Sequence, residues 1–205
     1  MKKQILITIG LATLLASATQ ASQEQLANSI KDTRVETTRT SEQLKATLEA
    51  ITGLTKQTKG DLRPAYNTYC SEVGKTESAA ALTRTRAAWM AGDGQKYFRD
   101  WQTTVSSIAN ESLRKKSQKR LDAVKVSFDK VEASLQLAGD KFKPFLSDLA
   151  DIQKALAADV TPGGVKAVKS TVRSANWNHQ YVNQAINSAL KEMDQMAKAL
   201  SSEAK

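Results

Sequence analysis

Five cations crowd into one short stretch of this chain: Arg114, Lys115, Lys116, Lys119 and Arg120, with Glu111 the only acid between residues 111 and 120. On a helix Lys115 neighbours Lys119 and Lys116 neighbours Arg120, so like charges repel at i,i+4. An anionic partner would relieve that repulsion; without one the run is a solvated charged turn. No aromatic residue interleaves the run, so specific nucleic-acid binding is not expected.

Other chemistry finds few residues to work with. His179 is the only histidine, set among Asn176, Trp177, Asn178, Gln180 and Tyr181. One histidine cannot build a zinc or di-iron site without carboxylate or thiolate partners. The Glu-x-x-His spacing of di-iron bundles is absent, because Asn176 stands three residues before it. A haem held by His179 and a methionine such as Met90 is the alternative; a hydrogen-bonded core histidine is the commoner outcome. Met193 and Met196 read as core filler. Cys70 is the single cysteine, so an intramolecular disulfide is excluded. Lying beside Tyr69 and Val73, it reads as a partly buried, inert thiol, with a disulfide-linked dimer as the alternative. No Gly-x-Ser-x-Gly elbow, Cys–His pair or phosphate-binding Gly-x-x-x-x-Gly-Lys loop occurs. The carboxylates are scattered among lysines, as on a solvated face. No enzyme, metal or cofactor is therefore implied.

What must position these residues is helical throughout. From Leu121 to Leu156 the apolar positions are Leu121, Val124, Phe128, Val131, Leu135, Ala138, Phe142, Phe145, Leu149, Ile152 and Leu156. They repeat 3, 4, 3, 4, which is the heptad period. At 1.5 Å per residue the stretch predicts a helix of about 54 Å whose apolar seam other helices must cover. Gly139 and Pro144 lie within it, and the proline predicts a kink rather than an end.

Residues Ser22 to Gln57 carry a second seam: Leu26, Ile30, Thr33, Thr37, Thr40, Leu44, Thr47, Ile51 and Leu54. Four of the nine are threonine, whose hydroxyl gains nothing in an apolar interface, so this helix is expected to be the loosest. Gly60 suits a helix end, Asp61 a cap and Pro64 a first turn. The next seam runs Leu62, Tyr66, Tyr69, Val73, Thr76, Ala80, Thr83, Ala87 and Met90, then holds phase through position 94 to Tyr97, Trp101, Val105 and Ile108. That continuity predicts one helix across Gly92-Asp93-Gly94 to about Ala109, weakened by about 1 kcal/mol at each glycine. Phase is then lost until Leu121. Asn110 or Ser112 can cap a new start, which places a reversal near residues 109–112; a continuous helix with a stutter competes. Thr161-Pro162-Gly163-Gly164 opens the last helix, whose seam runs from Val165 to Leu200. Four long segments joined by short turns predict an all-α fold, an elongated antiparallel four-helix bundle of coiled-coil type, as one domain over residues 22–205. If the chain reverses near 109–112, the basic run sits at one end of that bundle beside Lys198 and Lys205.

The chain of 205 residues has a formal net charge of +9. Met1 to Ala21 reads as a secretory signal: Lys2 and Lys3, an apolar core from Ile5 to Leu15, then Ala16, Ser17, Ala18 and Ala21. Cleavage after Ala21 is preferred and cleavage after Ala18 is the alternative. The apolar run is short for a membrane span of about 20 residues. No cysteine follows it, so no lipid anchor is expected. A periplasmic or secreted product carrying +7 would meet a phosphate-rich envelope, and weak anion binding follows from charge alone. The expected partner is an unidentified protein or an anionic envelope component.

The segment YFRDWQTTVSSIANESLRKKSQKRLDAVKVSFDKVEASL, Tyr97 to Leu135, resembles an uncharacterised bacterial family, domain of unknown function 2959. Trp101 matches a tryptophan of that family, and Ala109-Asn110-Glu111-Ser112-Leu113-Arg114 with Ser117 matches its small-Asn-x-Ser-Leu-Arg-x-x-Ser run. Lys59-Gly60-Asp61-Leu62 resembles its Gly-Asp-Leu turn. The similarity covers most of the mature chain and departs at Ala157 to Gly164 and at Gly92-Asp93-Gly94. Because the family has no established activity, the resemblance implies an exported, helix-rich protein and nominates no catalytic residue.

Overall fold

The computed structural model describes residues 2–57 and 59–201, with side chains from residue 17 onward. The side chains of the expected signal core, and Lys205, lie outside the described residues. Among the described residues five helices follow in order: α1 Lys2–Lys56, α2 Arg63–Ser106, α3 Glu111–Ala158, α4 Pro162–Ala167 and α5 Lys169–Ser201. No strand occurs among the described residues, so the fold is an all-α helical bundle.

The chain breaks where its punctuation is. Gly60 takes a φ of 85°, a left-handed conformation open to glycine. The Asp61 carboxylate then accepts the Arg63 N–H at 3.0 Å and caps α2. Asn110 caps α3 in the same way, accepting the Leu113 N–H at 3.0 Å. The reversal therefore occupies residues 107–110, and the stuttered continuous helix is excluded. At the last turn Thr161 accepts the Gly164 N–H. A Cβ on Gly164 would run into the backbone of Asp159, so only glycine fits there.

Two boundaries differ from expectation. α1 begins at Lys2, not Ser22, and stays helical across both expected cleavage points. The final helix is interrupted at Val168, whose N–H bonds back to the carbonyls of Gly164 and Lys166 before α5 starts at Lys169. α3 runs through Pro144 to Ala158, as expected of a proline that does not end its helix. α2 likewise runs unbroken through Gly92-Asp93-Gly94. Asp93 is held there from α1, accepting from Gln25 at 2.6 Å and from Ser29.

The helices supply segments to two compact units. One holds Met1–Arg34, Arg86–Ala133 and Lys191–Lys205; the other holds Val35–Thr85 and Ser134–Leu190. In the first unit Leu26, Ile30, Met90, Tyr97, Phe128, Met193 and Leu200 are buried. Phe128 seats its ring against the backbone of α2 at Gly94, and 5.6 Å from the Phe98 ring centroid. In the second unit Leu44, Ile51, Tyr69, Phe145, Ile152 and Ile186 form the core. Tyr69 and Tyr66 donate their hydroxyls to the carbonyls of Leu149 and Gln153, at 2.8 and 3.1 Å, tying α2 to α3.

The threonine seam is buried, and two of its hydroxyls find partners across the helix pair. Thr33, Thr37, Thr40 and Thr47 are all buried. In the second unit Thr40 pairs with Thr83 at 2.9 Å, and Thr47 with Thr76 at 2.7 Å. Each hydroxyl thus meets another across α1 and α2, so burial leaves no unsatisfied polar group at these pairs. At Thr40 and Thr47 the residues opposite are threonines rather than apolar side chains.

Candidate functional site

Among the described residues, the start of α3 is the least covered helical stretch of the first unit. From Glu111 to Arg120 no residue is buried, and Leu113 is 53% exposed. Burial begins at Leu121, where the heptad seam begins. What fixes the stretch is polar: the Asn110 cap, and a reciprocal amide pair between Gln102 of α2 and Gln118 of α3 at 2.9 and 3.1 Å.

All five predicted cations are exposed, but they do not share one face. At 3.6 residues per turn, Lys115, Lys119, Lys116 and Arg120 fan over about 140° of the helix circumference. Arg114 lies outside that fan and donates to the Ile108 carbonyl at 3.2 Å, bracing the turn. Lys115 pairs with Glu111 at 2.7 Å. This pair is solvent-exposed on both sides and contributes little. Lys116 and Lys119 have no ion pair among the described residues. Three of the five cations, Arg114, Lys115 and Lys116, stand in the first turns of α3, where the helix dipole already presents positive charge. The arrangement is an electropositive cap that a multivalent anionic surface would neutralise, not a pocket for one small anion.

A groove in the same unit escaped the sequence reading. It encloses about 370 Å³ between α2 and α3, floored by Phe98, Leu121 and Phe128 and rimmed by Arg99, Lys125 and Glu132. Burial is the main cause that raises the Glu132 carboxyl above its ordinary range, with the charge of Asp129 adding to it. Lys125 is engaged with Asp129 at 3.1 Å, whereas Arg99 has no ion pair among the described residues. The sequence signal was available: Phe98 lies four residues beyond Gly94, whose missing side chain makes room for Phe128.

The remaining candidates come from other segments of the chain. In the second unit His179 is half-buried, its ring 6.2 Å from Phe145, and burial lowers its pKa. Its imidazole makes no hydrogen bond among the described residues, so the expected hydrogen-bonded core histidine is corrected to one packed against an aromatic ring. Cys70 is free and half-buried; its contact with Tyr66 pushes that phenol up to about 12, and burial adds to the shift. Met90 is fully buried in the first unit. No group of three or more His, Cys, Asp or Glu side chains able to hold a metal ion occurs among the described residues. No described helix is long and apolar enough to cross a membrane.

Comparison with curated proteins finds no match. A family model described as "Protein of unknown function (DUF2959)" matches residues 16–200, and the chain belongs to that family.

Proposed function

We propose that this protein is an exported, non-enzymatic helical bundle that works through its surface, using the α2–α3 turn to hold an anionic component of the cell envelope. The observation that carries the reading is the exposed opening of α3. None of ten consecutive residues there is fully buried, and five of them are exposed cations. Stability alone gives no reason to gather cations at a helix N-terminus, where i,i+4 repulsion and the dipole both oppose them. An array of phosphate head groups offsets both terms. Export is supported by the Lys2-Lys3 start, the short apolar core and the small residues before Ser22, and it would place the protein in the periplasm or outside the cell.

A photo-cross-linking residue placed at the exposed position Ser112 tests the reading in intact cell envelopes. A covalent phospholipid adduct is the expected product. Adducts to a protein alone, or none at all, would overturn the anionic-surface reading.

A further inference from the structure

The packed face of α1 does not start where a chain cut after Ala21 would start. Upstream of Leu26 the inward positions continue through Ser22 and Thr19, at helical spacing. Ser22 is only 1% exposed. Its hydroxyl is shared between the carbonyls of Ala18 and Thr19, at 3.0 and 3.1 Å. Gln23 beside it donates to the Leu200 carbonyl of α5 at 2.9 Å. One turn upstream, the Thr19 hydroxyl meets that of Thr104 in α2 at 2.8 Å. Ser17 and Ala18, by contrast, are exposed.

The two expected cuts therefore leave different proteins. A cut after Ala21 removes Thr19 together with its bond to Thr104, and it puts a charged ammonium on the buried Ser22. Burying a charge is costly unless it is paired, and a cation at a helix N-terminus meets the positive end of the dipole. Asp100 stands near the Ser22 hydroxyl, but it is already paired with Lys96 at 2.8 Å. A cut after Ala18 keeps the Thr19–Thr104 bond and keeps the Thr19 carbonyl as an acceptor for Ser22. The new ammonium then stands on Thr19, which is still partly open to water. A signal peptidase meets the unfolded chain, so the sequence must offer the same bond independently. Ala16-Ser17-Ala18 does so, with alanine at both positions of the small-x-small pattern, whereas the other cut places the branched Thr19 at the outer one. We propose that the precursor is cut between Ala18 and Thr19, so that the mature chain begins with the residue that opens the α1–α2 contact. This rests on the export reading above and adds to it the processing site.

The test is the intact mass of the natural full-length chain after expression in a bacterium, read on protein from both the soluble and the envelope fractions. A product starting at Thr19 is expected. A product starting at Ser22 would overturn this proposal and spare export, whereas a chain that keeps Met1 to Ala18 would overturn both. Two variants locate the bond a second way. Ala21→Phe should still be cut before Thr19, because position 21 lies beyond the residues read and its side chain is exposed. Ala18→Phe should abolish the Thr19 product, because a ring replaces the small residue at the cut. An uncut Ala21→Phe chain, or an unchanged Thr19 product from Ala18→Phe, would overturn the assignment.

Discussion

Gly92 and Gly94 are two residues apart in α2, yet alanine at each should act with opposite sign. A Cβ at Gly92 meets nothing within 4 Å. Gly92→Ala should therefore stabilise by about 1 kcal/mol, the helix-propensity difference. At Gly94 the same Cβ would overlap Cζ and Cε1 of Phe128. The ring cannot swing freely: Phe128 is only 2% exposed and packs against Phe98. Overpacking of this kind costs about 1–3 kcal/mol. Since the clash involves two ring atoms, the upper part of that range applies, and the propensity gain leaves a net loss of about 1–2 kcal/mol. At about 2–4 °C per kcal/mol for a chain of this size, Gly94→Ala should lower Tm by about 2–8 °C and Gly92→Ala should raise it by about 2–4 °C. In a Phe128→Leu background the ring is gone, and Gly94→Ala should then stabilise as Gly92→Ala does. Circular dichroism melts of the five proteins are the assay. If Gly94→Ala raises Tm as much as Gly92→Ala in the natural background, the packing of Phe128 on α2 is wrong.

Thr47→Val should destabilise by about 1–3 kcal/mol, because the Thr76 hydroxyl loses its 2.7 Å partner in a buried site. Thr47→Val with Thr76→Val should recover most of that loss in urea melts, and additive losses would mean that the pair is not coupled. The His179 pKa is lowered by burial, so the folded state resists the proton that the unfolded state takes up below about 6.5. Stability from this residue is therefore whole above that pH and is lost as pH falls towards the folded value. Urea midpoints should drop between pH 7.5 and 5.5, and His179→Leu should flatten that slope; an unchanged slope would refute it.

Much of the fold was legible because heptad spacing and punctuation agree. The unbroken phase across Gly92-Asp93-Gly94 predicts the single helix that is found, and Asn110 and Asp61 cap where their side-chain chemistry indicates. Less legible was whatever depends on what a side chain meets across a helix pair. Thr40 and Thr47 look like defects in an apolar seam until Thr83 and Thr76 are placed opposite them. The one-residue break at Val168 was hidden because Val165, Val168 and Val172 hold the seam through it. For the candidate site, sequence located the cations but not their directions. Helical spacing also puts Arg114 outside the fan of the other four, but its bond to the Ile108 carbonyl depends on the turn that the Asn110 cap sets.

The central claim, that the opening of α3 is an anion-holding surface, is tested most directly by vesicle co-sedimentation across a salt series. The proteins are the natural chain and the Lys115→Gln, Lys116→Gln, Lys119→Gln, Arg120→Gln variant. The variant should melt at or slightly above the natural Tm, because like-charge repulsion is relieved and the exposed Lys115–Glu111 pair contributes little. At low salt the natural chain should sediment with vesicles containing phosphatidylglycerol, and it should be released as salt rises past about 0.15 M, where screening acts within about 8 Å. The variant should remain largely in the supernatant at every salt concentration. Equal retention of the two proteins, or no retention of the natural chain at low salt, would contradict the claim.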